Sequence, residues 1–142
     1  MSKLEKLLNG SKRLHISILA LITILAYSSI LQNGFAWDDN VLLQWVQTRN
    51  FGNIFNVFSG DVPSINEIHY RPLVSLFYFL SYKLYGFNPI GYHIQAIIIH
   101  LTISILVYLI ISIISSKKPV AFIASLIFAV HPANTEAVAF VT

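Results

Sequence analysis

The chain has 142 residues, of which 56% are hydrophobic and only 11% are charged, and its mean hydropathy is +0.69. Soluble domains carry roughly 25% charged residues, so a chain this apolar cannot cover a soluble surface and is predicted to be an integral membrane protein. The formal net charge is +3, but the basic residues flank apolar runs instead of forming one face, which argues against a nucleic-acid partner. The absence of cysteine excludes disulfides and thiolate chemistry within these residues.

Residues 1–13 are basic and precede an uncharged run, a pattern that predicts a cytoplasmic N-terminus. Residues 14–31 contain no charged side chain, and a helix of this length can cross a hydrocarbon layer of roughly 30 Å. A cleaved signal peptide is the alternative, but the run is long for one and no clear Ala-x-Ala site follows it. We therefore predict a first transmembrane helix at 14–31.

Residues 32–91 form a large loop that is predicted to be extracytoplasmic. Residues 40–48 have the apolar spacing of a short amphipathic helix, and 54–60 predict a further turn or two. Residues 72–85 predict a helix whose uncharged part, 72–82, is about 16 Å long and therefore too short to span. We expect this helix to lie in the membrane interface or to dip into it.

Residues 92–115 predict a second transmembrane helix, because a lone strand could not satisfy its backbone in lipid. Residues 116–118 predict a cytoplasmic loop with two lysines, and 119–131 predict a shorter third transmembrane helix that ends at a His-Pro pair. Residues 132–142 would then be extracytoplasmic. The predicted fold class is an all-α integral membrane protein with about three transmembrane helices, plus interfacial helices in the large first extracytoplasmic loop.

Asp38 and Asp39 are adjacent carboxylates placed directly against an apolar run. One aspartate explains the start of the helix at 40–48 by capping, and the second is left over. A carboxylate here could serve as a general base toward an acceptor hydroxyl, or the pair could bind a divalent cation. No third metal ligand is visible, so no metal site is assigned, and both the capping and the functional interpretations stay open.

Arg71 immediately precedes a proline and the interfacial helix. It is either an arginine that snorkels to lipid headgroups or a clamp for phosphate, which guanidinium binds in a bidentate way. After the third span, capping of a new helix accounts for Asn134 and Thr135 and could extend to Glu136. His131 then either contacts a ligand or satisfies an exposed carbonyl.

Four further histidines precede His131. His93 and His100 lie seven residues apart on one helix face, too far apart for one metal ion, which favours hydrogen bonding between helices. His15 and His69 have no partner that the sequence identifies.

Four segments, taken together and in this order, resemble the N-terminal part of the membrane glycosyltransferases of the GT-C superfamily. The branch they resemble comprises the transmembrane and tetratricopeptide-repeat proteins related to protein O-mannosyltransferases. The segments are "NGFAWDDN" (33–40), "YRPL" (70–73), "GYHIQAIIIHLTISILVYLI" (91–110) and "HPANTEAVAFVT" (131–142). The resemblance covers nearly the whole chain from about residue 14.

The resemblance implies transfer of a sugar, such as mannose, from a polyprenyl-phosphate-linked donor to an extracytoplasmic acceptor such as a protein hydroxyl or a glycan. It places the catalytic base at Asp39 in preference to Asp38, and the lipid phosphate at Arg71. His131 and Glu136 would line the same pocket. The location implied is the plasma membrane in a prokaryote or the endoplasmic reticulum in a eukaryote.

The chain departs from this family in length. Family members have many more spans, and an arginine usually follows the Thr-Glu-Ala-Val-Ala that here ends near Thr142. We therefore expect a partial or split sequence that needs the remaining helices of a longer protein, or a partner subunit, and that is inactive alone. The alternative function is a non-enzymatic small polytopic membrane protein acting as a scaffold or subunit. A transporter is a weaker option, since no charged residue lies inside a predicted span.

Overall fold

The computed structural model describes residues 7–36, 39–60 and 70–140, so Asp38 and His69 lie outside the described residues. Every regular element in these ranges is helical, which confirms the predicted all-α class. The helices are α1 (Lys12–Tyr27, followed by a 3-10 turn at Ser28–Gln32), α2 (Asp39–Gln47), a 3-10 turn at Ile54–Ser59, α3 (Pro72–Tyr85), α4 (Pro89–Ser115), α5 (Lys118–Val130), a 3-10 turn at Pro132–Asn134 and α6 (Thr135–Ala139).

Two of the described helical segments, Lys12–Gln32 and Pro89–Ser115, are long and apolar enough to cross a membrane. A third is reached if α5 and Pro132–Ala139 form one span with a bend of 50°. His131 sits at this bend in an extended conformation, as expected for a residue that precedes proline. The chain therefore has the helices of a membrane protein, while the number of spans and their sidedness stay predictions.

The α4 helix begins at Pro89, three residues before the predicted second span. Proline suits the first turn of a helix because it lacks the N–H that would be unpaired there. Asn88 precedes it and accepts the Ile90 N–H at 3.1 Å, so the start is capped by the side chain that the sequence supplies.

The chain divides into two compact units, and the first comprises the described residues of 1–31 together with 94–139. Within it, α1 packs on α5. Its main core holds Leu19, Tyr108, Ala121, Phe122 and Ala129, and a second cluster holds Tyr27, Ile30, Ile97 and Val138.

Buried polar side chains of the first unit are hydrogen-bonded. His15 donates from Nε2 to the Leu7 carbonyl at 3.0 Å, so its Nδ1 is the acceptor for the Tyr108 hydroxyl at 3.1 Å. His15 therefore has the partners that the sequence did not identify. His100 donates from Nε2 to the Ala129 carbonyl at 2.9 Å, which confirms the expected hydrogen bond between helices for this histidine.

The second unit contains the described residues of 32–93. The α2 helix and the 3-10 turn at Ile54–Ser59 both pack on α3. Their shared core consists of Leu42, Leu43, Val46, Ile54, Val57, Tyr78, Phe79 and Tyr92. Gly86, with φ of 58°, ends α3 in a conformation that favours glycine, and its carbonyl accepts the Tyr92 hydroxyl at 2.9 Å.

Candidate functional site

Asp39 is the first residue of α2 and is only 1% exposed. Its Oδ2 atom accepts the Ala36 N–H at 2.8 Å, while its own N–H donates to the Ala36 carbonyl at 3.0 Å. This reciprocal pair closes the turn before the helix. The second carboxylate oxygen, Oδ1, is also buried but has no hydrogen-bond partner within the described ranges.

This geometry bears on the capping interpretation. A capping aspartate accepts an N–H from the first turn of its own helix. The Asp39 carboxylate instead bonds a residue that precedes the helix, and that bond uses only one oxygen. A buried polar atom without a partner is uncommon in proteins, and it often indicates strain, an absent ligand or a catalytic role.

Two side chains of α3 contribute further polar atoms to the second unit. Burial, and then the nearby Asp39 carboxylate, raise the pKa of Tyr78 above its usual range. The phenol therefore stays protonated at neutral pH and can donate a hydrogen bond. Ser75 lies one turn earlier on the same helix face, fully buried, and its hydroxyl has no partner among the described residues.

His93 provides a third unpaired polar atom in this unit. Its Nε2 donates to the Asn33 carbonyl at 3.2 Å, which leaves the buried Nδ1 as an acceptor without a partner in the described part of the chain. The expectation of a bond between helices is therefore wrong for His93, because Asn33 belongs to the loop that follows the first helical segment. The bond ties α4 to the start of the Asn-Gly-Phe-Ala-Trp-Asp-Asp-Asn segment.

Arg71 has an exposed side chain and stands immediately before α3. Its carbonyl accepts the Ser75 N–H at 3.1 Å, and Pro72 fixes the backbone at the first helical position. The preceding Tyr70 donates its hydroxyl to the Phe58 carbonyl at 2.8 Å. These restraints hold the backbone that presents the guanidinium. The sequence interpretation missed Tyr70, although it belongs to the Tyr-Arg-Pro-Leu motif.

His131 lies in the first unit, where its Nδ1 accepts the Ala133 N–H at 3.2 Å. The neutral ring must then carry its proton on Nε2, on an exposed side chain that can donate to a ligand. The carbonyl expected to need a partner is that of Phe128, and it is the Asn134 amide that donates to it, at 2.7 Å.

Glu136 occupies the first turn of α6, and its side chain is exposed. Its neighbours serve the packing of the first unit. Thr135 shares a side-chain hydrogen bond with Tyr27, and Val138 is buried in the cluster that contains Tyr27. Packing thus explains Thr135 and Val138 and leaves Glu136 to other roles.

The five predicted site residues are distributed over both units. Asp39 and Arg71 belong to the second unit, His131 and Glu136 belong to the first, and Asp38 lies outside the described residues. The single pocket that would join them therefore stays a prediction. The described residues contain no group of three His, Asp or Glu side chains that could hold a metal ion. The cation considered at Asp38 and Asp39 also stays a prediction.

The chain is similar to several curated proteins. It is 32% identical over 135 residues to protein O-mannosyl-transferase F38B6.6 of Caenorhabditis elegans, an alignment that covers 88% of this chain and 20% of that protein. It is 34% identical over 136 residues to human protein O-mannosyl-transferase TMTC1, which covers 87% of this chain and 15% of the relative. The Drosophila melanogaster Tmtc1 protein is 34% identical over 125 residues, which covers 83% of this chain and 15% of the relative.

The chain thus spans a fifth or less of the length of these three relatives. No family model matches the chain, and no solved structure does. The resemblance indicated by the motifs is confirmed by the named relatives, and the chain is a homologue of the TMTC-type protein O-mannosyl-transferases, in the branch of the GT-C superfamily related to tetratricopeptide-repeat proteins.

Proposed function

We propose that the chain is the N-terminal membrane module of a glycosyltransferase that transfers a sugar from a polyprenyl-phosphate-linked donor to a hydroxyl on the extracytoplasmic side. The names of the relatives favour mannose as the sugar. The observation that carries the proposal is the buried Asp39 carboxylate, which has one oxygen fixed by Ala36 and the other without a partner among the described residues.

In this proposal Asp39 is the catalytic base. Its Oδ1 takes the proton of the acceptor hydroxyl while the hydroxyl oxygen bonds to the anomeric carbon of the sugar. The bond between that carbon and the phosphate oxygen breaks, and polyprenyl phosphate leaves with the electron pair. The Ala36 N–H contributes by holding Oδ2, so that the carboxylate keeps one orientation during the proton transfer.

Arg71 would neutralise the charge that develops on the departing phosphate. Its exposed guanidinium suits a ligand that arrives in the membrane interface, and its backbone is restrained on both sides by Tyr70 and Pro72. His131, with its proton on Nε2, and Glu136 would complete the pocket around the donor, as the resemblance implies. The phosphate contact at Arg71 is the part of this arrangement that the geometry of the second unit supports.

The test compares Asp39→Asn with Asp38→Asn in the protein as the native gene encodes it, in isolated membranes. Transfer of radiolabelled mannose from polyprenyl phosphate mannose to endogenous acceptors is measured, with expression checked by blotting. We expect Asp39→Asn to lower transfer by about 10²- to 10⁴-fold, the usual contribution of a general base. The matched Asp38→Asn variant should retain most activity, and full activity in both variants would show that the base is elsewhere.

A second function, a non-enzymatic membrane scaffold or subunit, is favoured by one observation. The bonds of Asp39 to Ala36 and of His131 to Ala133 are both local and stabilise turns. A scaffold would accumulate stably as this chain alone and would tolerate both aspartate substitutions. The transfer assay therefore separates the two functions directly.

A further inference from the structure

Two lysines line a cleft in the first unit, far along the chain from Asp39 and Arg71. The cleft has a volume of about 450 Å³ and lies where the short connection between α4 and α5 meets the residues that precede α1. Its lining residues are Asn9, Ser116, Lys117, Lys118, Pro119 and Val120. None of them is acidic, so the cleft carries an uncompensated positive charge along its own walls.

The lysines stand at the level where an apolar helix ends. Both side chains are exposed, and they directly follow Ile113 and Ile114, which are 78% and 79% exposed. These two isoleucines are the most exposed large apolar side chains in the described part of the chain. Val120, on the wall of the cleft, is 47% exposed and continues the apolar surface onto α5.

The connection that carries the lysines is held by its own hydrogen bonds. The Ser115 hydroxyl donates to the Ile111 carbonyl at 2.7 Å and accepts the Lys117 N–H at 3.3 Å. The backbone of Lys117 is thereby fixed to the last turn of α4. A fixed pair of ammonium groups at the boundary between apolar and polar surface complements a phosphate that is attached to acyl chains.

We propose that this cleft binds the headgroup of an anionic phospholipid. Lys117 and Lys118 contact the phosphate, and the acyl chains lie along Ile113, Ile114 and Val120. A free phosphate would use the lysines alone and would leave the isoleucines unexplained, whereas a phospholipid uses both surfaces. The site is separate from the residues of the proposed transfer reaction and does not depend on that reaction.

Native mass spectrometry of the purified protein in mild detergent tests the site. The protein is titrated with phosphatidylglycerol and, separately, with phosphatidylcholine of the same acyl chains. We expect phosphatidylglycerol to bind more tightly, and the double variant K117Q/K118Q to weaken its binding by about tenfold or more, since each basic residue near an anionic surface contributes about 1 kcal/mol. The variant K117R/K118R keeps both charges and should bind as the original protein does.

The matched control is K12Q/R13Q, which removes two exposed positive charges near the same cleft without removing a lining residue. Equal losses in the two glutamine variants would show a diffuse charge effect and overturn the site. Equal binding of the two lipids would overturn it as well. Inorganic phosphate supplied at the lipid concentration should not displace the lipid, and displacement would mean that a free anion is the ligand.

Discussion

The two units of the chain treat buried polar side chains in opposite ways. In the first unit, the buried histidines, serines and threonine all make at least one hydrogen bond, the members being His15, Thr23, His100, Ser104 and Ser125. In the second unit, four buried atoms have no partner among the described residues, namely Asp39 Oδ1, Trp45 Nε1, Ser75 Oγ and His93 Nδ1.

The membrane explains the first behaviour. The first unit contains most of the helices that are long and apolar enough to span, and lipid offers no water to an unpaired polar group. Its polar side chains must therefore be paired within the protein. The second unit keeps polar atoms that its own packing does not use, and such atoms are where a ligand or a proton transfer can be accommodated.

The largest expected effect extends this comparison to the exposed charge of the second unit. Arg71→Gln removes the proposed phosphate contact and should raise the KM for a polyprenyl-phosphate sugar by about 10- to 100-fold, as for the loss of a hydrogen bond to a charged group. Arg71→Lys should restore only part of the affinity, because an ammonium cannot bind phosphate in a bidentate way. Arg49→Gln is the control, since Arg49 lies over the Trp45 ring, with its guanidinium carbon 4.7 Å from the ring centre. An unchanged KM in Arg71→Gln would remove the phosphate contact from the proposal.

The next effect tests pairing in the first unit. Tyr108→Phe leaves Nδ1 of the buried His15 without its hydroxyl donor. We expect the free energy of unfolding in detergent to fall by about 1–2 kcal/mol, the range for a buried hydrogen bond whose partner is left unsatisfied. Unchanged stability would mean that pairing is not required among these helices.

A smaller effect appears only at high pH and belongs to Tyr78. Burial and the Asp39 carboxylate raise the pKa of its phenol, so the folded protein holds the Tyr78 proton more tightly than the unfolded chain does. This contribution to stability is fully present below about pH 10, the unfolded value, and is lost as the pH rises above it. Thermal unfolding should therefore become less pH-sensitive above pH 10 in Tyr78→Phe than in the original protein. The exposed Tyr70 provides the control as Tyr70→Phe, and an identical alkaline loss in all three proteins would contradict the raised pKa.

The smallest effect is expected for an unpaired atom. Ser75→Ala removes a buried hydroxyl that has no partner in the described ranges. Unfolding free energy should change by less than about 0.5 kcal/mol or rise slightly, because no hydrogen bond is lost and a buried polar group disappears. A loss as large as that in Tyr108→Phe would show that the hydroxyl is paired in the folded protein and would break the contrast between the units.

The elements that the sequence could predict depend on local signals. The helix expected at 72–85 coincides with α3, because Pro72 can start a helix and Gly86 adopts the positive φ that ends it. The break at His131 follows from the proline after it. Long uncharged runs likewise predict the apolar helices, since no other regular structure satisfies a single segment in lipid.

The features that the sequence could not predict depend on distant pairs. His15 and Tyr108 are separated by 93 residues, and Tyr70 reaches the Phe58 carbonyl across 12. For Asp39, the sequence places a carboxylate at the start of a helix, but only the packing of α2 on α3 determines that it is buried and that one oxygen remains free. Spacing within one helix made His93 and His100 look alike, whereas their partners differ.

The most direct test of the contrast between the units is to measure thermal stability and sugar transfer on the same preparation of Asp39→Asn. The side-chain amide of this variant keeps an oxygen for the Ala36 N–H and removes a buried negative charge that has an unpaired oxygen within the described residues. We predict a Tm equal to or higher than that of the original protein, together with loss of transfer. A lowered Tm with transfer retained would mean that Asp39 serves the fold and that the base must be sought elsewhere.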